Sequence, residues 1–532
     1  MSDFILAYLL PWLVSFCLLV VLLVLVFSLP SLYRSILKMP KKVGFLLLII
    51  TLSGGLIRFL WVPDDHRIYF DEDRYLSYAA TFARFGKAVS IELATPQRSI
   101  MGTPDSAARV TVPVLNAWTL RFFGFEEKNL FRLARWVNTA AILLLFIASY
   151  LFFRSYFAAL FSAFGLAFLP TPVYFSVSTS FDAYFVFFAL LSFVSFCLYA
   201  RKPTFLNGLL ASASLFLLLC VRIESYLFLP ILLGAFWIIR RENIPITNGL
   251  IKTDLWFVFL AGIFILIRSL ASLSILGKPW CCAEALPLEA FSLQYIVRNT
   301  LPNLLSLFTK AEFPFVITLL AFLTILGKSS KKVIILDLWL LLFFSVYSLY
   351  YAGIFFDYQF SGSYGRYFLM LIPPFLMLSG LALTRLHKSY QIILALCLVT
   401  LVPTIINYRK MISSSPYDLL VEKGPRVLHE FLDNKILKET EPDAVIIHNL
   451  TAPVLLKGKT AVYAGYLYEK KEVQDFVVEA IKNNKKVYID QTHRCELFPD
   501  VCREIENLFK FTPFIKENFQ GLPLELDSVG PK

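Results

Sequence analysis

The sequence is poor in charged residues and rich in long hydrophobic runs. Only 17% of its 532 residues are charged and 58% are hydrophobic, whereas a soluble domain is about a quarter charged and about half apolar. Eight cysteines are too few for a disulfide framework in a chain of this length. The proportions also exclude disordered, collagen-like and coiled-coil proteins, and they indicate a chain that is not surrounded by water.

Motifs for nucleotide and metal binding are missing as well. The sequence has no Walker loop, and no G-x-G-x-x-G follows a predicted strand, so it shows no cytosolic nucleotide site. No two of its five histidines have metal-ligand spacing, and His493 beside Cys495 would give at most three zinc ligands in the wrong spacing. Spacing alone therefore gives no support for a zinc site.

The excess of positive charge is unevenly distributed. The chain has 50 basic and 38 acidic residues, but residues 407–532 hold 18 basic and 19 acidic ones, so the whole excess lies in the apolar part. Basic residues between apolar runs are a membrane-topology signal rather than a footprint for nucleic acid. We therefore expect a polytopic α-helical membrane protein with no nucleic-acid partner.

Apolar segments near the length of a membrane span recur along the first 406 residues. A bilayer core of about 30 Å requires about 20 helical residues. The sequence predicts about twelve spans: 4–29, 43–62, 136–153, 155–176, 182–200, 204–220, 226–239, 254–276, 313–327, 333–354, 367–383 and 389–406. Because the first span is long and lacks a cleavage site, we expect it to remain as an anchor.

Lys and Arg recur at alternate turns, which predicts the orientation. They are Arg34, Lys38, Lys41, Lys42, Arg154, Arg201, Lys202, Arg240, Arg241, Lys252, Lys328, Lys331, Lys332, Arg385 and Lys388. The positive-inside rule assigns these turns to the cytoplasm. The Lys-rich loops and the modest number of cysteines favour a prokaryotic plasma membrane. Loop 63–135 and residues 407–532 would then lie on the periplasmic or extracellular side.

Three regions follow from this pattern. We expect residues 1–42 to form a transmembrane helix with a basic cytoplasmic loop, residues 43–406 to form the main transmembrane domain, and residues 407–532 to form a small soluble α/β domain. Loop 63–135 contains two predicted amphipathic helices lying along the interface, around Tyr75–Phe82 and Val114–Phe122, with a turn at Thr95–Pro104 between them.

The C-terminal region alternates strand and helix patterns. Ala444–Ile447, Thr460–Tyr463 and Lys486–Asp490 are predicted strands, and Lys471–Lys482 is a predicted amphipathic helix. Cys495 and Cys502 could close a disulfide loop here in an oxidising compartment; the alternative is two free thiols.

Charged residues stand at successive outward turns beside apolar runs. Asp71-Glu72-Asp73 follows the second span, Asp182 opens a Phe-rich span, and Arg222 and Glu224 lie at the next outward turn. The simplest alternatives are helix N-caps for Asp71 and Asp182 and an internal salt bridge for Arg222 and Glu224.

A fourth charged turn carries Arg366 and Tyr367 and leads into a double proline. Since all these turns lie on one predicted face, we expect acids and arginines to meet in one pocket. Carboxylates there can take a proton from an acceptor hydroxyl, and arginines can bind and stabilise a leaving phosphate. The acids could also hold a divalent metal ion, although no cofactor is certain.

The order of these motifs resembles the GT-C superfamily of membrane glycosyltransferases, which use polyprenyl-phosphate sugars. The closest likeness is to the protein O-mannosyltransferase and aminoarabinose-transferase branch (glycosyltransferase families 39 and 83). The loop of that branch reads Asp-Glu-x-x-Tyr, and this chain has Asp71-Glu72-Asp73-Arg74-Tyr75. The resemblance covers about residues 43–406, which it implies are the catalytic domain, and it implies that residues 1–42 are an additional transmembrane helix before the first span of the family.

The resemblance implies roles for particular residues. Asp71, with Glu72 beside it, would be the catalytic base or the carboxylate that orients the acceptor, and Asp182 would be the second acid. Arg366 would bind the lipid phosphate. Relatives carry a Lys-Pro-Pro stretch before the second interfacial helix, where this chain has Arg109 as a substitute ligand.

The resemblance thus implies an inverting glycosyltransferase. Its donor would be a polyprenyl-phosphate sugar, and its acceptor would be a lipid, a glycan or a protein. Two other functions stay open at this point. A transporter or lipid flippase would usually show repeats and charges near the middle of the membrane, and a glycan polymerase or ligase would differ in its donor.

Overall fold

The structure of the chain is a computed structural model. It describes residues 2–37, 39–67, 69–105, 107–243, 252–273, 291–310, 313–327, 330–351, 353–355, 365–385, 406–413, 424–490, 507–520 and 522–531.

Helices make up most of the first 385 residues. In chain order they are α1 (Leu10–Leu37, preceded by a π-helical turn Ile5–Leu9 and by Ser2–Phe4), α2 (Lys41–Leu60), α3 (Tyr69–Phe85), α4 (Thr111–Phe123), α5 (Glu127–Phe153), α6 (Tyr156–Phe168), α7 (Pro170–Tyr174), α8 (Phe181–Arg201), α9 (Phe205–Leu219), α10 (Phe228–Asn243), α11 (Lys252–Leu273), α12 (Gln294–Thr309), α13 (Phe315–Leu326), α14 (Lys331–Leu349) and α15 (Ile372–Arg385).

Eight helices in the described ranges are long and apolar enough to cross a membrane, or nine if α6 and α7 count as one bent span. Two predicted spans, 204–220 and 313–327, correspond to the shorter apolar helices α9 and α13. The last predicted span, 389–406, lies almost entirely outside the described residues. The chain is therefore a polytopic helical membrane protein, and the number twelve stays a prediction.

The bend between α6 and α7 has an identifiable cause. Pro170 cannot donate to the helix, so the chain turns by 54° at the break. Arg58, fully buried on α2, donates to the carbonyl oxygens of Ala167 at 2.9 Å and Leu166 at 2.8 Å. A buried arginine in an apolar helix thus satisfies carbonyl groups at the break.

The C-terminal region and loop 63–135 together form a mixed sheet, which has seven strands in the described residues. They are β1 (Leu93–Ala94), β2 (Ser99–Met101), β3 (Val445–His448), β4 (Thr460–Tyr463), β5 (Val487–Asp490), β6 (Phe509–Phe519) and β7 (Leu522–Pro531), in the order β2-β1-β4-β3-β5-β7-β6. The helices of this region include α16 (Gly424–Phe431, followed by a π-helical turn Leu432–Ile436 and by Leu437–Glu439), α17 (Thr451–Leu456), α18 (Ala464–Glu469) and α19 (Lys471–Lys482).

The three predicted C-terminal strands and the helix Lys471–Lys482 are confirmed to within a residue at each end. The segment Thr95–Pro104 differs from the prediction, because it contains β2 of a hairpin rather than only a turn. That hairpin joins the C-terminal sheet, since β1 pairs antiparallel with β4 through Leu93 and Val462. Loop 63–135 and the C-terminal region therefore share one sheet and lie on the same side of the helices.

The two faces of the sheet have different neighbours. Ile446 points into the large core that continues into the helical part, whereas Val445 and Ile447 point into a smaller core with Val473 and Val477 of α19. This follows from the alternation of side chains along a strand. The sheet is thus fixed between the helical part and α19.

The first loop helix lies deeper than the sequence indicates. Helices are present at both predicted places, as α3 and α4, but residues 75–83 of α3 are all buried. Arg84 donates to the carbonyl oxygens of Leu455 and Leu456 in α17. The C-terminal region therefore covers α3, so residues 75–83 of this helix have no free face, unlike the predicted amphipathic helix.

Basic turns meet at the end of the bundle opposite to the sheet. Lys332 pairs with Glu242 at 2.8 Å, and Arg240 pairs with Asp254 at 2.9 Å. Tyr199, near the end of α8, donates to the same Asp254. Seventeen residues of helix separate Tyr199 from Asp182, a distance of about 25 Å at about 1.5 Å per residue.

Candidate active site

Asp71 and Arg366 form an ion pair across most of the chain. Nη1 of Arg366 lies 2.7 Å from a carboxylate oxygen of Asp71, although 295 residues separate the two. Gly365 immediately before the arginine has φ of 69°, a left-handed conformation that glycine adopts without strain. The convergence predicted from the order of the motifs is confirmed for this pair.

Arg366 has a second partner and an unused donor. Its Nη2 donates to the hydroxyl of Tyr367 at 2.9 Å. Its Nε is buried and has no acceptor among the described residues. The side chain of Arg366 is 15% exposed, while that of Asp71 is 41% exposed. The ion pair is thus reachable from solvent on the Asp71 side and has room for a further acceptor.

Arg222 holds two carboxylates beside this pair. It donates to both oxygens of Glu224, at 2.7 and 3.1 Å, and it is ion-paired with Asp182 at the start of α8. The guanidinium also lies 5.6 Å from the ring centre of Tyr367. All three donor nitrogens of Arg222 are therefore occupied, and its charge acts on the site through space.

Arg109 is held by an acid that the motifs did not indicate. Asp105 accepts from Nε and Nη2 of Arg109 at 3.0 and 2.9 Å, and from the backbone N–H of Arg109 at 2.7 Å. Ala108 between them has φ of 51°, which is uncommon for a residue with a Cβ. Arg109 lies 5.3 Å from the ring centre of Tyr75 and 5.1 Å from that of Phe181.

Three arginines therefore act on one partly exposed carboxylate, that of Asp71. Partial burial by itself would raise the pKa of Asp71, but Arg366, followed by Arg109 and Arg222, outweighs it and holds the pKa below the usual value for aspartate. In the same way, Arg109 outweighs burial and lowers the pKa of Asp105. Asp71 is thus ionised at neutral pH.

Glu72 points away from this site. Its carboxylate is fully buried and accepts from the backbone N–H groups of Arg67 and Thr179, both at 3.0 Å, and from the hydroxyl of Ser178. Nδ1 of His66 lies 2.6 Å from the same carboxylate. With four partners, Glu72 fixes the turn before α8 and has no place beside Asp71 as a second reacting acid.

The third consecutive acid has yet another environment. Burial, with a smaller effect from Glu127, raises the pKa of Asp73 to about 7, even though backbone N–H groups of Ala452 and Thr451 donate to it. Successive helical residues point about 100° apart, so Asp71, Glu72 and Asp73 reach three different surroundings. Only Asp71 belongs to the arginine cluster.

The alternative roles considered for these residues, as helix N-caps and as an internal salt bridge, do not all agree with the structure. Helix α3 begins at Tyr69, so Asp71 is its third residue rather than its N-cap. The N-cap of α8 is Ser180, not Asp182, although the Ser180 hydroxyl donates to Asp182 at 3.1 Å. The predicted Arg222–Glu224 salt bridge is present. Structural pairing and a site role are therefore combined in this cluster.

Two predicted residues cannot be placed, and two residues that were not predicted contribute to the site. Cys495 and Cys502 are outside the described residues. Tyr347 of α14 was not predicted to contribute, yet its ring centre lies 5.0 Å from that of Tyr367. Asp105 could have been recognised because it stands four residues before Arg109, a spacing at which opposite charges meet.

A divalent metal between Asp71 and Asp182 is not favoured by this arrangement. Each of the two carboxylates is paired with an arginine, which would repel a cation. In the described part of the chain, a group with metal-ligand geometry is found at His66, Glu127 and His429 instead. Its two histidines are far apart in sequence, which explains why spacing did not reveal them.

Comparison with known proteins gives the fold. No protein-family model and no curated protein matches the sequence. The crystal structure of ArnT from Cupriavidus metallidurans bound to undecaprenyl phosphate matches with a TM-score of 0.57 at 11% identity, covering 93% of this chain and 100% of that chain. ArnT in the apo state matches with a TM-score of 0.56 at 12% identity and the same coverage.

A second type of structure is the Archaeoglobus fulgidus oligosaccharyltransferase in complex with Zn and sulfate. It matches with a TM-score of 0.49 at 13% identity, covering 91% of this chain and 73% of that chain. ArnT is a membrane glycosyltransferase of the GT-C superfamily. The likeness to ArnT shows that this chain has the GT-C fold that its motifs predicted.

Proposed function

We propose that this chain, a membrane protein with the GT-C fold, is a glycosyltransferase. It would move a sugar from a polyprenyl-phosphate carrier to an acceptor at the outer face of the plasma membrane. The observation that carries the proposal is the Asp71–Arg366 ion pair, which brings a candidate base and a candidate phosphate ligand into contact. The ArnT likeness supports the donor class, because that protein was crystallised with undecaprenyl phosphate.

Arg366 is the arginine best suited to bind the donor phosphate. Arg222 and Arg109 are each held by carboxylates through several donor nitrogens. Arg366 has one carboxylate partner and a buried Nε without an acceptor in the described ranges. A phosphate can take up Nε and exchange with Asp71, and charge-assisted bonds of this type are the strong ones.

This exchange would also prepare the base. While Arg366 holds Asp71, the carboxylate is a weak proton acceptor because its pKa is lowered. Once phosphate neutralises Arg366, Asp71 is released and its affinity for a proton rises. Donor binding and base activation are then a single event.

The transfer itself is a displacement at the anomeric carbon. The acceptor hydroxyl oxygen forms the new bond to that carbon, its proton passes to Asp71, and the bond from the carbon to the phosphate oxygen breaks. The leaving polyprenyl phosphate keeps the electron pair, which Arg366 stabilises directly and Arg222 through its field. Attack opposite to the leaving phosphate inverts the anomeric configuration.

Orientation follows from charge. The basic turns lie at the end of the bundle marked by Arg240 and Lys332, and the positive-inside rule assigns that end to the cytoplasm. The site and the sheet would then face the periplasm or the cell exterior. In this arrangement residues 43–406 carry the catalytic residues, and residues 407–532 support loop 63–135.

The proposal is tested with Asp71→Asn. Purified protein in lipid nanodiscs is given labelled polyprenyl-phosphate sugars together with a membrane extract as the acceptor source. Because general-base catalysis contributes about 10²–10⁴-fold, we expect turnover to fall by about that factor. Donor binding should stay the same or become tighter, because Arg366 has lost its competing partner.

Asp254→Asn is the matched control, since it alters a different Asp–Arg pair at the opposite end of the bundle. It should leave turnover within a few fold of the unaltered protein. Full turnover by a folded Asp71→Asn variant would remove Asp71 from the reaction. Conversion of polyprenyl-pyrophosphate glycans alone would instead indicate a polymerase or ligase.

A further inference from the structure

Two histidines and a glutamate meet where the C-terminal region contacts the loop. Nε2 of His66 lies 3.0 Å from Oε1 of Glu127, and Nε2 of His429 lies 3.5 Å from Oε2 of the same carboxylate. The rings of His66 and His429 are 5.0 Å apart between centres. One ligand atom from each residue can be chosen so that all three lie within 4.8 Å of one another.

The separations agree with those around a tetrahedral zinc ion. Zinc lies about 2.0–2.1 Å from histidine nitrogen and about 2.0–2.2 Å from carboxylate oxygen, so ligand atoms in a tetrahedron are about 3.3 Å apart. The distance of 3.0 Å between Nε2 of His66 and Oε1 of Glu127 is close to that value, and Nε2 of His429 lies 3.5 Å from Oε2, the other oxygen of the same carboxylate. Because one ligand atom from each residue lies within 4.8 Å of the other two, shifts of the side chains can bring three ligands around one ion.

The second nitrogen of each imidazole faces another carboxylate. Nδ1 of His66 lies 2.6 Å from Glu72, and Nδ1 of His429 lies 3.8 Å from Asp433. A histidine that binds metal usually donates its other N–H to a carboxylate, which fixes the ring and the tautomer. Here both Nε2 atoms face Glu127 while both Nδ1 atoms face such carboxylates.

The cluster opens on one side into a cavity of about 770 Å³. His66, Glu127 and His429 all line it, so water or a fourth ligand can reach an ion bound between them. The lining contains six acidic side chains and three lysines and arginines, so the entry path is negative on balance. A negative cavity raises the local concentration of cations.

We propose that His66, Glu127 and His429 bind one divalent transition-metal ion of the zinc class. The ligands come from loop 63–67, from the start of α5 and from α16, so the ion joins the C-terminal region to the membrane-bound part. It lies apart from the Asp71–Arg366 pair and needs no role in transfer. Glu72 connects the proposed metal site to the candidate active site, because it contacts His66 on one side and Ser178, in the turn before α8, on the other.

The direct test is metal content. The full chain, purified without a polyhistidine tag, is stripped with chelator, reloaded with zinc and dialysed, and its zinc is measured by mass spectrometry. We expect about one zinc per chain, a loss of at least tenfold in Glu127→Gln and in His429→Ala, and a higher thermal midpoint after reloading of the unaltered protein only.

Glu126→Gln is the matched control. Glu126 is the neighbouring carboxylate on the same cavity, but its side chain is half exposed and pairs with Lys128. It should retain the full zinc content. Asp433→Asn, which alters a carboxylate behind His429, should weaken zinc binding by about 10–100-fold without abolishing it.

Cobalt loading of the unaltered protein keeps the test decisive if variants do not fold. Three protein ligands and one water should give the intense visible absorption of four-coordinate cobalt, and zinc should displace it. A weak octahedral spectrum, or a zinc content equal in the unaltered protein and in Glu127→Gln, would overturn the proposal. Neither metal content nor the cobalt spectrum depends on glycosyl transfer. The metal site can therefore be supported when the proposed transferase function is refuted, and the transferase function can be supported when the metal site is refuted.

Discussion

Arg366 has two competing acceptors in the proposed reaction, Asp71 before the donor binds and phosphate afterwards. The ion pair holds Asp71 in its charged form and in position, but it also weakens it as a base. Its partly exposed surroundings let a phosphate displace the carboxylate without burying a lone charge. A single arginine can in this way link donor recognition to proton transfer.

This link predicts a change in pH dependence for Arg366→Gln. Asp71 must be ionised to accept a proton, so kcat/KM falls as the pH drops through its pKa in the free protein. Arg366 is the first of the charges that lower this pKa. The acid limb of the kcat/KM profile should therefore move to higher pH in the variant.

Arg366→Lys is the comparison, since it keeps the charge and should keep most of the lowering. Both variants should lose activity, because neither offers the same planar donor group to phosphate. An acid limb at the same pH in Arg366→Gln as in the unaltered protein would mean that Asp71 does not titrate in this limb.

At the scale of elements, the hairpin β1–β2 couples the loop to the C-terminal sheet. The backbone carbonyl of Glu92 accepts from Tyr463, and the Glu92 carboxylate pairs with Lys470 at 2.9 Å. Gly102 at the end of the hairpin is closely approached by backbone. A Cβ on it would lie 2.1 Å from the carbonyl oxygen of Ser90.

We therefore expect Gly102→Ala to destabilise the protein by about 1–3 kcal/mol, the cost of overpacking. A lower thermal midpoint and faster amide exchange in residues 89–103 would reveal the opened hairpin. Gly262→Ala is the control, because a Cβ there has no atom within 4 Å. If both variants melt at the same temperature as the unaltered protein, the close approach at Gly102 is not maintained in solution.

Prediction from the sequence succeeded for elements with a clear period and failed where partners are distant. β3, β4, β5 and α19 could be located because hydrophobic alternation and helical spacing mark them locally. The β6–β7 pair was missed, since Pro513 and Pro523 disfavour strands. β6 is an edge strand with an irregular register between Pro513 and Ile515, and an edge position tolerates proline.

The candidate site was likewise only partly predictable. The predicted orientation of the turns was enough to locate Asp71, Asp182, Arg222 and Arg366 at one end of the bundle. The different direction of Glu72 depends on helix α3 starting at Tyr69, which no motif marks. The pairing of β1 with β4, like the meeting of His66 and His429, depends on tertiary packing and leaves no local signal.

For the whole molecule, the C-terminal region acts as part of the site's support rather than as a separate attachment. It pairs with β1, covers α3 and supplies carbonyl groups to Arg84. Asp71 lies at the start of α3, so the position of the candidate base depends on this contact.

Removal of all residues after 415 should therefore abolish turnover toward every acceptor, including short ones, and lower the thermal midpoint. The unpaired β1 and the uncovered apolar side of α3 would also promote aggregation. Size-exclusion chromatography with a thermal scan measures both effects. A monodisperse, active truncated protein would show instead that residues 407–532 are a dispensable module.

The most direct measurement is an experimental structure of the full chain in nanodiscs with a polyprenyl phosphate bound. We expect the phosphate within hydrogen-bond distance of the Arg366 guanidinium, the Asp71–Arg366 contact of 2.7 Å opened, and the Arg222–Glu224 and Arg109–Asp105 pairs retained. A phosphate bound elsewhere, with the Asp71–Arg366 pair intact, would contradict a transferase mechanism at this site.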